Sequence, residues 1–258
     1  MKRPARLSTR GLVALGAALG VVVASGLLLA AMSEDVVTHD GLARRDRANL
    51  RFFTLHRTPD LVSAARAVTN AGAVPFLIVV AVVAGGLLWW RGARLAVSVA
   101  PALALAVAGS AVAIGKHLVG RARPPAALHL VAESDASFPS GHATDSAAVY
   151  LTLALVVAIV VLRRPLARVM AVIGAALMTV AVGASRLVLG VHWPTDVLAG
   201  WSLGVAAALT VTTAMVLVVR PGPLEPADVS GRAGRVWSGQ RRSWTLRRPS
   251  ARQTLDLR

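Results

Sequence analysis

Long apolar runs separated by short polar breaks organise this chain. Gly11 to Ala31 is uncharged over 21 residues, which suits a retained membrane span better than the ~7–15-residue apolar core of a cleaved leader. Ala30-Ala31 nevertheless resembles a cleavage site, so a cleaved leader remains the alternative. Within this run Gly16 and Gly20 form a GxxxG, which predicts packing inside the bundle. Ala73–Trp90 is the second run and ends on a Trp pair suited to the aromatic belt. Leu95–Gly115, Ser146–Leu162, Val169–Ser185 and Val197–Val219 follow. Backbone groups in lipid must pair within their own segment, so each run is expected to be a helix. The fourth and fifth runs have only 17 residues each, and polar neighbours are expected to lengthen those helices. The fold predicted is all-α, a six-span transmembrane helical bundle.

Two polar segments flank this pattern and a third interrupts it. Residues 1–10 are a basic N-terminus, 11–219 form the transmembrane domain, and 220–258 read as a disordered, Arg-rich tail without apolar periodicity. The tail has no nucleic-acid-binding signature, so no nucleic acid partner is expected. In the interrupting stretch, 32–72, Thr58-Pro59-Asp60 reads as N-cap, first-turn proline and first-turn acid. Leu61, Ala65 and Val68 then recur at helical spacing, predicting a short interfacial helix in the first outer loop.

Composition agrees with a membrane protein. Apolar residues make up 55% of the 258 and mean hydropathy is +0.64. Cysteine is absent, which excludes disulfides, thiolate metal sites and cysteine nucleophiles. With six spans, 18 of the 28 basic residues fall on the side of the termini. The termini are therefore expected to be cytoplasmic, with the other face of the cell membrane carrying the polar breaks between spans. Lys116 is the only lysine besides Lys2, in a chain that otherwise uses arginine.

Those breaks hold the candidate chemistry: Lys116 with Arg123-Pro124, then Pro139-Ser140-Gly141-His142, then Ser185-Arg186 with His192 and Asp196. Phosphoryl transfer spreads negative charge over equatorial oxygens, and fixed cations and N–H groups stabilise it. Lys116, Arg123 and Arg186 supply charge, the arginines with bidentate reach. Ser140 and Gly141 precede a helix whose N-terminus favours anions. His192 and Asp196, four apart at a helix start, allow a carboxylate to fix the imidazole tautomer and leave the other nitrogen nucleophilic. His142 is then the general acid for the leaving alcohol. No His/Asp/Glu cluster has metal-ligand spacing, although Asp135 and Asp145 lie nearby, and neither metal nor cofactor is expected. Asp145 reads as a first-turn acid favoured by the helix dipole. His39, His56, His117 and His129 read as surface residues.

Each cluster alone has a plain reading as cap, snorkelling arginine or turn. Their order and spacing together resemble the signature of the type 2 phosphatidic acid phosphatase superfamily: Lys116…Arg123-Pro124, Pro139-Ser140-Gly141-His142, Ser185-Arg186…His192…Asp196. The resemblance spans about residues 11–219 and implies metal-independent dephosphorylation of a lipid phosphate at the bilayer. It also implies His192 as nucleophile, His142 as acid/base, and Asp196 as partner of His192. Lys116, Arg123, Ser140, Gly141 and Arg186 become phosphate ligands by the same likeness. Soluble vanadium haloperoxidases share these motifs, and the lipid-length spans separate this chain from them. The competing reading is a non-catalytic protein that binds or transports an anionic lipid. The lipid stays open among undecaprenyl diphosphate, phosphatidate, phosphatidylglycerol phosphate and sphingoid phosphates, as does the oligomeric state.

Overall fold

The computed structural model describes residues 9–219. The tail expected at 220–258, and all but the last two residues of the basic N-terminal segment, lie outside them. The described residues form α1 (Thr9–Thr38), α2 (Asp46–Leu55), α3 (Pro59–Asn70), α4 (Val74–Trp90), α5 (Leu95–Ser98), α6 (Ala100–Val119), α7 (Gly141–Val160), α8 (Pro165–Val188) and α9 (Pro194–Val219). Five of these are long and apolar enough to cross a membrane, and α3 with α4, bent by 52° at their junction, makes a sixth candidate. Large apolar side chains such as Val79, Val82, Leu87, Leu166 and Leu177 point outward, as they do where the surrounding solvent is lipid.

α7 is the hub, packed against α4, α6, α8 and α9. Small residues make this possible. A Cβ on Gly200 of α9 would come within 2.8 Å of the Ser140 carbonyl, and one on Gly204 would meet Ala147. Close backbone approach through glycine and alanine is the usual means of joining helices where lipid supplies no hydrophobic drive. It also fixes the start of α7 against the start of α9, where two of the three polar clusters lie. The far end closes on Arg94, whose Nη1 donates to the Val219 carbonyl at 2.7 Å.

Sequence and structure part company in several places. α1 runs seven residues beyond Ala31, and on it Gly16 and Gly20 face open space, so their GxxxG makes no close contact among the described residues. The third run breaks at Val99 into α5 and α6. Pro101 lacks an N–H and its ring crowds the carbonyl four residues back, so a new helix starts there and carries Lys116 in its last turn. α2 was hidden within a polar stretch, and it turns Asp46 and Leu50 inward. α3 forms as expected: the Thr58 hydroxyl accepts from the Leu61 N–H at 3.2 Å, with Pro59 at the first position. The helices bearing the clusters are also lengthened by their polar ends, α7 back to Gly141 and α8 on to Val188.

Candidate functional site

All three clusters meet at one end of the bundle. Lys116 comes from the last turn of α6, Ser140 caps α7, Arg186 ends α8, and His192 precedes α9. Asp196 is the third residue of α9, and its Oδ2 accepts from the Trp193 N–H at 2.8 Å. That contact closes the helix start in the manner of a capping box. The same oxygen accepts from the Ser137 hydroxyl and lies 3.4 Å from His192 Nδ1. On the opposite side of the ring, Arg123 Nη1 is 3.1 Å from His192 Nε2. A guanidinium only donates, so Nε2 holds the lone pair and Nδ1 the proton. Burial of His192 lowers its pKa, Arg123 and Arg186 add to this, and Asp196 opposes it. The ring is therefore neutral at neutral pH, with an unprotonated Nε2 facing the cations.

Those cations are held by two carboxylates the sequence reading left without such a role. Glu133 bridges Arg186 and Arg123, and Asp135 bridges Lys116 and Arg123. Both belong to the loop before α7. Arg57 donates to the Leu128 carbonyl (2.9 Å) and Arg66 to the Leu130 carbonyl (3.2 Å), tying this loop to the α2–α3 connection and to α3. Burial acts to raise the Asp135 carboxyl, but hydrogen bonds from Lys116 and Arg123 prevail and hold it at about 2. Burial likewise opposes ionisation of Glu133, and Arg186 with Arg123 outweighs it. Thr69 of α3 accepts from Arg186 Nη1 at 2.7 Å. Six buried polar atoms lack a partner among the described residues, and Arg186 Nε and the Ser140 hydroxyl are two of them.

A separate network stands behind Asp196. Arg121 Nη1 donates to Asp196 Oδ1 (2.6 Å) and to the Thr195 hydroxyl (2.7 Å), while its Nη2 reaches Asp46 Oδ2 on α2 (2.6 Å). Asp46 Oδ1 in turn accepts from the Thr195 N–H at 3.0 Å. Arg121 stands two residues from Arg123, a proximity that was visible in the sequence. Asp46 had no signal, because the helix carrying it was not read.

The remaining predicted residues fall as follows. Gly141 opens α7, where helix geometry leaves the first N–H groups without intrahelical acceptors. The Ser140 N–H donates to the Asp196 carbonyl at 3.0 Å, so its hydroxyl, and not its amide, is the group free for an anion. His142 makes no side-chain hydrogen bond among the described residues. A Cβ on Gly72, at the α3–α4 corner, would lie 3.3 Å from its ring. Asp145 is not a solvated first-turn acid. It lies one turn deeper, buried, with Oδ1 unpartnered. His129 is not a free surface residue either, since its Nε2 is 2.9 Å from the Pro124 carbonyl. Among the described residues no group of three or more His, Cys, Asp or Glu could hold a metal ion.

Known proteins resemble this chain in sequence and fold. The PAP2 superfamily pattern matches residues 95–220, a range that contains all three clusters. Phosphatidylglycerophosphatase B of Bacillus subtilis (strain 168) is 38% identical over 165 residues, covering 62% of this chain and 77% of that protein. The crystal structure of a transmembrane PAP2-type phosphatidylglycerolphosphate phosphatase from Bacillus subtilis is similar with a TM-score of 0.70 at 29% identity. The likeness covers 77% of this chain and 98% of that one. LpxE of Aquifex aeolicus is similar in fold alone, with a TM-score of 0.51 at 20% identity over 65% of this chain and 94% of its own. Motif order, helical architecture and a match that extends well beyond the motifs agree, and this multi-pass membrane protein belongs to the PAP2 superfamily.

Proposed function

We propose that the chain is a membrane phosphatase that hydrolyses a lipid phosphate through a phosphohistidine intermediate. The observation that carries this reading is the unprotonated His192 Nε2, 3.1 Å from a guanidinium nitrogen of Arg123, facing a cluster of three cations. A phosphoryl group that replaces Glu133 and Asp135 on Lys116, Arg123 and Arg186 presents its phosphorus to that lone pair. Nε2 then forms the P–N bond as the P–O bond to the lipid alkoxide breaks, and His142 gives that oxygen its proton. Water next loses a proton to His142 and attacks phosphorus, the P–N bond breaks, and orthophosphate leaves with His192 restored. Asp196 keeps the proton on Nδ1 throughout. Ser140 and Gly141 add a hydroxyl and an N–H at the N-terminus of α7. Three fixed cations supply the charge stabilisation a divalent ion would otherwise provide, so the reaction is metal-independent.

The relatives named as phosphatidylglycerophosphatases favour a glycerophospholipid as substrate. The basic-residue asymmetry favours a site on the outer face with cytoplasmic termini. An impermeant thiol reagent should then label Ala127→Cys in intact cells, and failure to label it there would reverse that orientation. The decisive experiment traps the intermediate in excess chelator with labelled substrate and rapid quench. An acid-labile, base-stable phosphoprotein is expected to accumulate in His142→Ala and be absent from His192→Ala, whose turnover falls by roughly 10⁴-fold or more. Label trapped in His192→Ala would remove it as nucleophile. Lipid binding without turnover in the wild type would favour an anionic-lipid carrier instead.

A further inference from the structure

A cavity of about 960 Å³ opens beside the reaction centre, between the end of α1, α2 and the loop after α6. Arg123 and Trp193 line it, and Arg123 is the residue in contact with His192 Nε2. Arg123 therefore stands between the cavity and the attacking nitrogen, with one guanidinium reaching both. Its opposite wall is one face of α2, where Arg47 and Arg51 stand one turn apart beside Leu50. The four cations nearer the chemistry all have counter-anions: Lys116, Arg121, Arg123 and Arg186 pair with carboxylates. Among the described residues Arg47 and Arg51 make neither an ion pair nor a side-chain hydrogen bond, and the one acid among them that lines the cavity, Asp46, is committed to Arg121 and Thr195.

From this we infer that Arg47 and Arg51 form a second-phosphate site, which grips the phosphodiester of a lipid whose terminal phosphomonoester lies on His192. The inference rests on the phosphatase reading above and narrows its substrate class. A single-phosphate lipid leaves this wall of the cavity without an anion. In a diphosphate the two phosphorus atoms share an oxygen, so both fall on the Lys116, Arg123 and Arg186 cluster. A phosphodiester separated from the cleaved group by a polyol such as glycerol reaches past Arg123 into the cavity. Guanidinium forks on a non-bridging phosphate oxygen pair are the chemistry such a group recruits.

The test compares wild type with Arg47→Gln/Arg51→Gln in neutral detergent micelles, where no anionic lipid contributes. Four substrates are used: phosphatidylglycerol phosphate, phosphatidate, an isoprenyl diphosphate and nitrophenyl phosphate. The double variant should lose roughly 10–100-fold in kcat/KM for phosphatidylglycerol phosphate, through KM, as expected for charge-assisted bonds to one group. The other three substrates should change less than about threefold, with the loss partly recovered in Arg47→Lys/Arg51→Lys. Equal loss for phosphatidate would make the arginines a general headgroup attractor and overturn the inference. Equal loss for the diphosphate would overturn the phosphodiester assignment. Loss for nitrophenyl phosphate as well would place them in support of the reaction centre, and no loss for any substrate would also overturn it. Failure of the wild type to hydrolyse nitrophenyl phosphate or any of the lipids would strike the phosphatase reading itself.

Discussion

Arg121 and Arg123 stand two residues apart and end in opposite surroundings. Arg121 is clamped by carboxylates on two helices, Asp46 of α2 and Asp196 of α9, whose side chains are 2% and 0% exposed. Arg123 is met by Glu133 and Asp135 of a loop, and the Asp135 side chain is 57% exposed. Anions fixed on helix first turns cannot leave without unpacking helices. Anions on a loop can yield to a ligand of the same charge. One arginine therefore belongs to the scaffold that aims Asp196, and the other, on the phosphatase reading proposed above, belongs to a place where partners are exchanged.

The sharpest way to break this distinction is to remove each arginine. Arg121→Ala leaves two buried carboxylates uncompensated, and the loss is expected to be about 3–5 kcal/mol of stability, read by thermal unfolding in detergent. Arg123→Ala should cost far less stability while abolishing most turnover. Equal destabilisation by the two would dissolve the contrast.

A second test uses pH. Burial holds the His192 pKa below the ordinary histidine value, so the acid limb of kcat/KM should lie below pH 6.5. Asp196→Asn removes the influence that raises this pKa and should move the limb of its residual activity lower still. The stability linkage has the opposite direction of benefit. The unfolded chain takes up the proton first, so His192 costs stability as pH falls below about 6.5. An acid limb above the ordinary value would show that His192 is not held neutral.

The smallest effect is expected on the exchanging side. Glu133→Gln or Asp135→Asn removes a resident anion, so vanadate or orthophosphate should bind several-fold tighter with little change in unfolding. Weaker binding would mean that the loop carboxylates help to hold the ligand. With the Asp135 carboxyl at about 2, mild acid leaves it charged, and substitution is the cleaner probe.

What could be read from the chain was whatever depended on short-range spacing. Lys116, Arg123, Arg186, His192 and Asp196 lie at helix ends, and apolar runs announce helix ends. The meeting of those ends followed from all three breaks sharing a face. Glu133 was invisible because its partner Arg186 is 53 residues away and the loop between has no periodicity. Asp46 and Thr195 are 149 residues apart, joined through a helix too short and polar to stand out. The split at Val99 was legible in principle, since Pro101 inside an apolar run is a helix-start signal. Asp145 reads as a first-turn acid from its position near the helix start, but α7 begins at Gly141 and puts it one turn deeper, on a side that packing buries, which no local spacing reveals.

α1 is longer than a bilayer requires. α1 has 30 residues, about 45 Å at 1.5 Å per residue, while a hydrocarbon core is about 30 Å thick. The excess cannot all be absorbed by moderate tilt, so one end of α1 rises into the headgroup layer. Met32 and Val36 in its last turns pack on Phe138 and Ala199 at the end of the bundle that carries the site. Val36, Val37 and then His39 form a wall of the cavity. α1 thus raises a narrow apolar strip, Met32 and Val36, above the slab like a sill, with Glu34 and Asp35 beside it. On the phosphatase reading proposed above, a lipid phosphate would keep its chains in the leaflet and meet the site from the side, without being lifted into water.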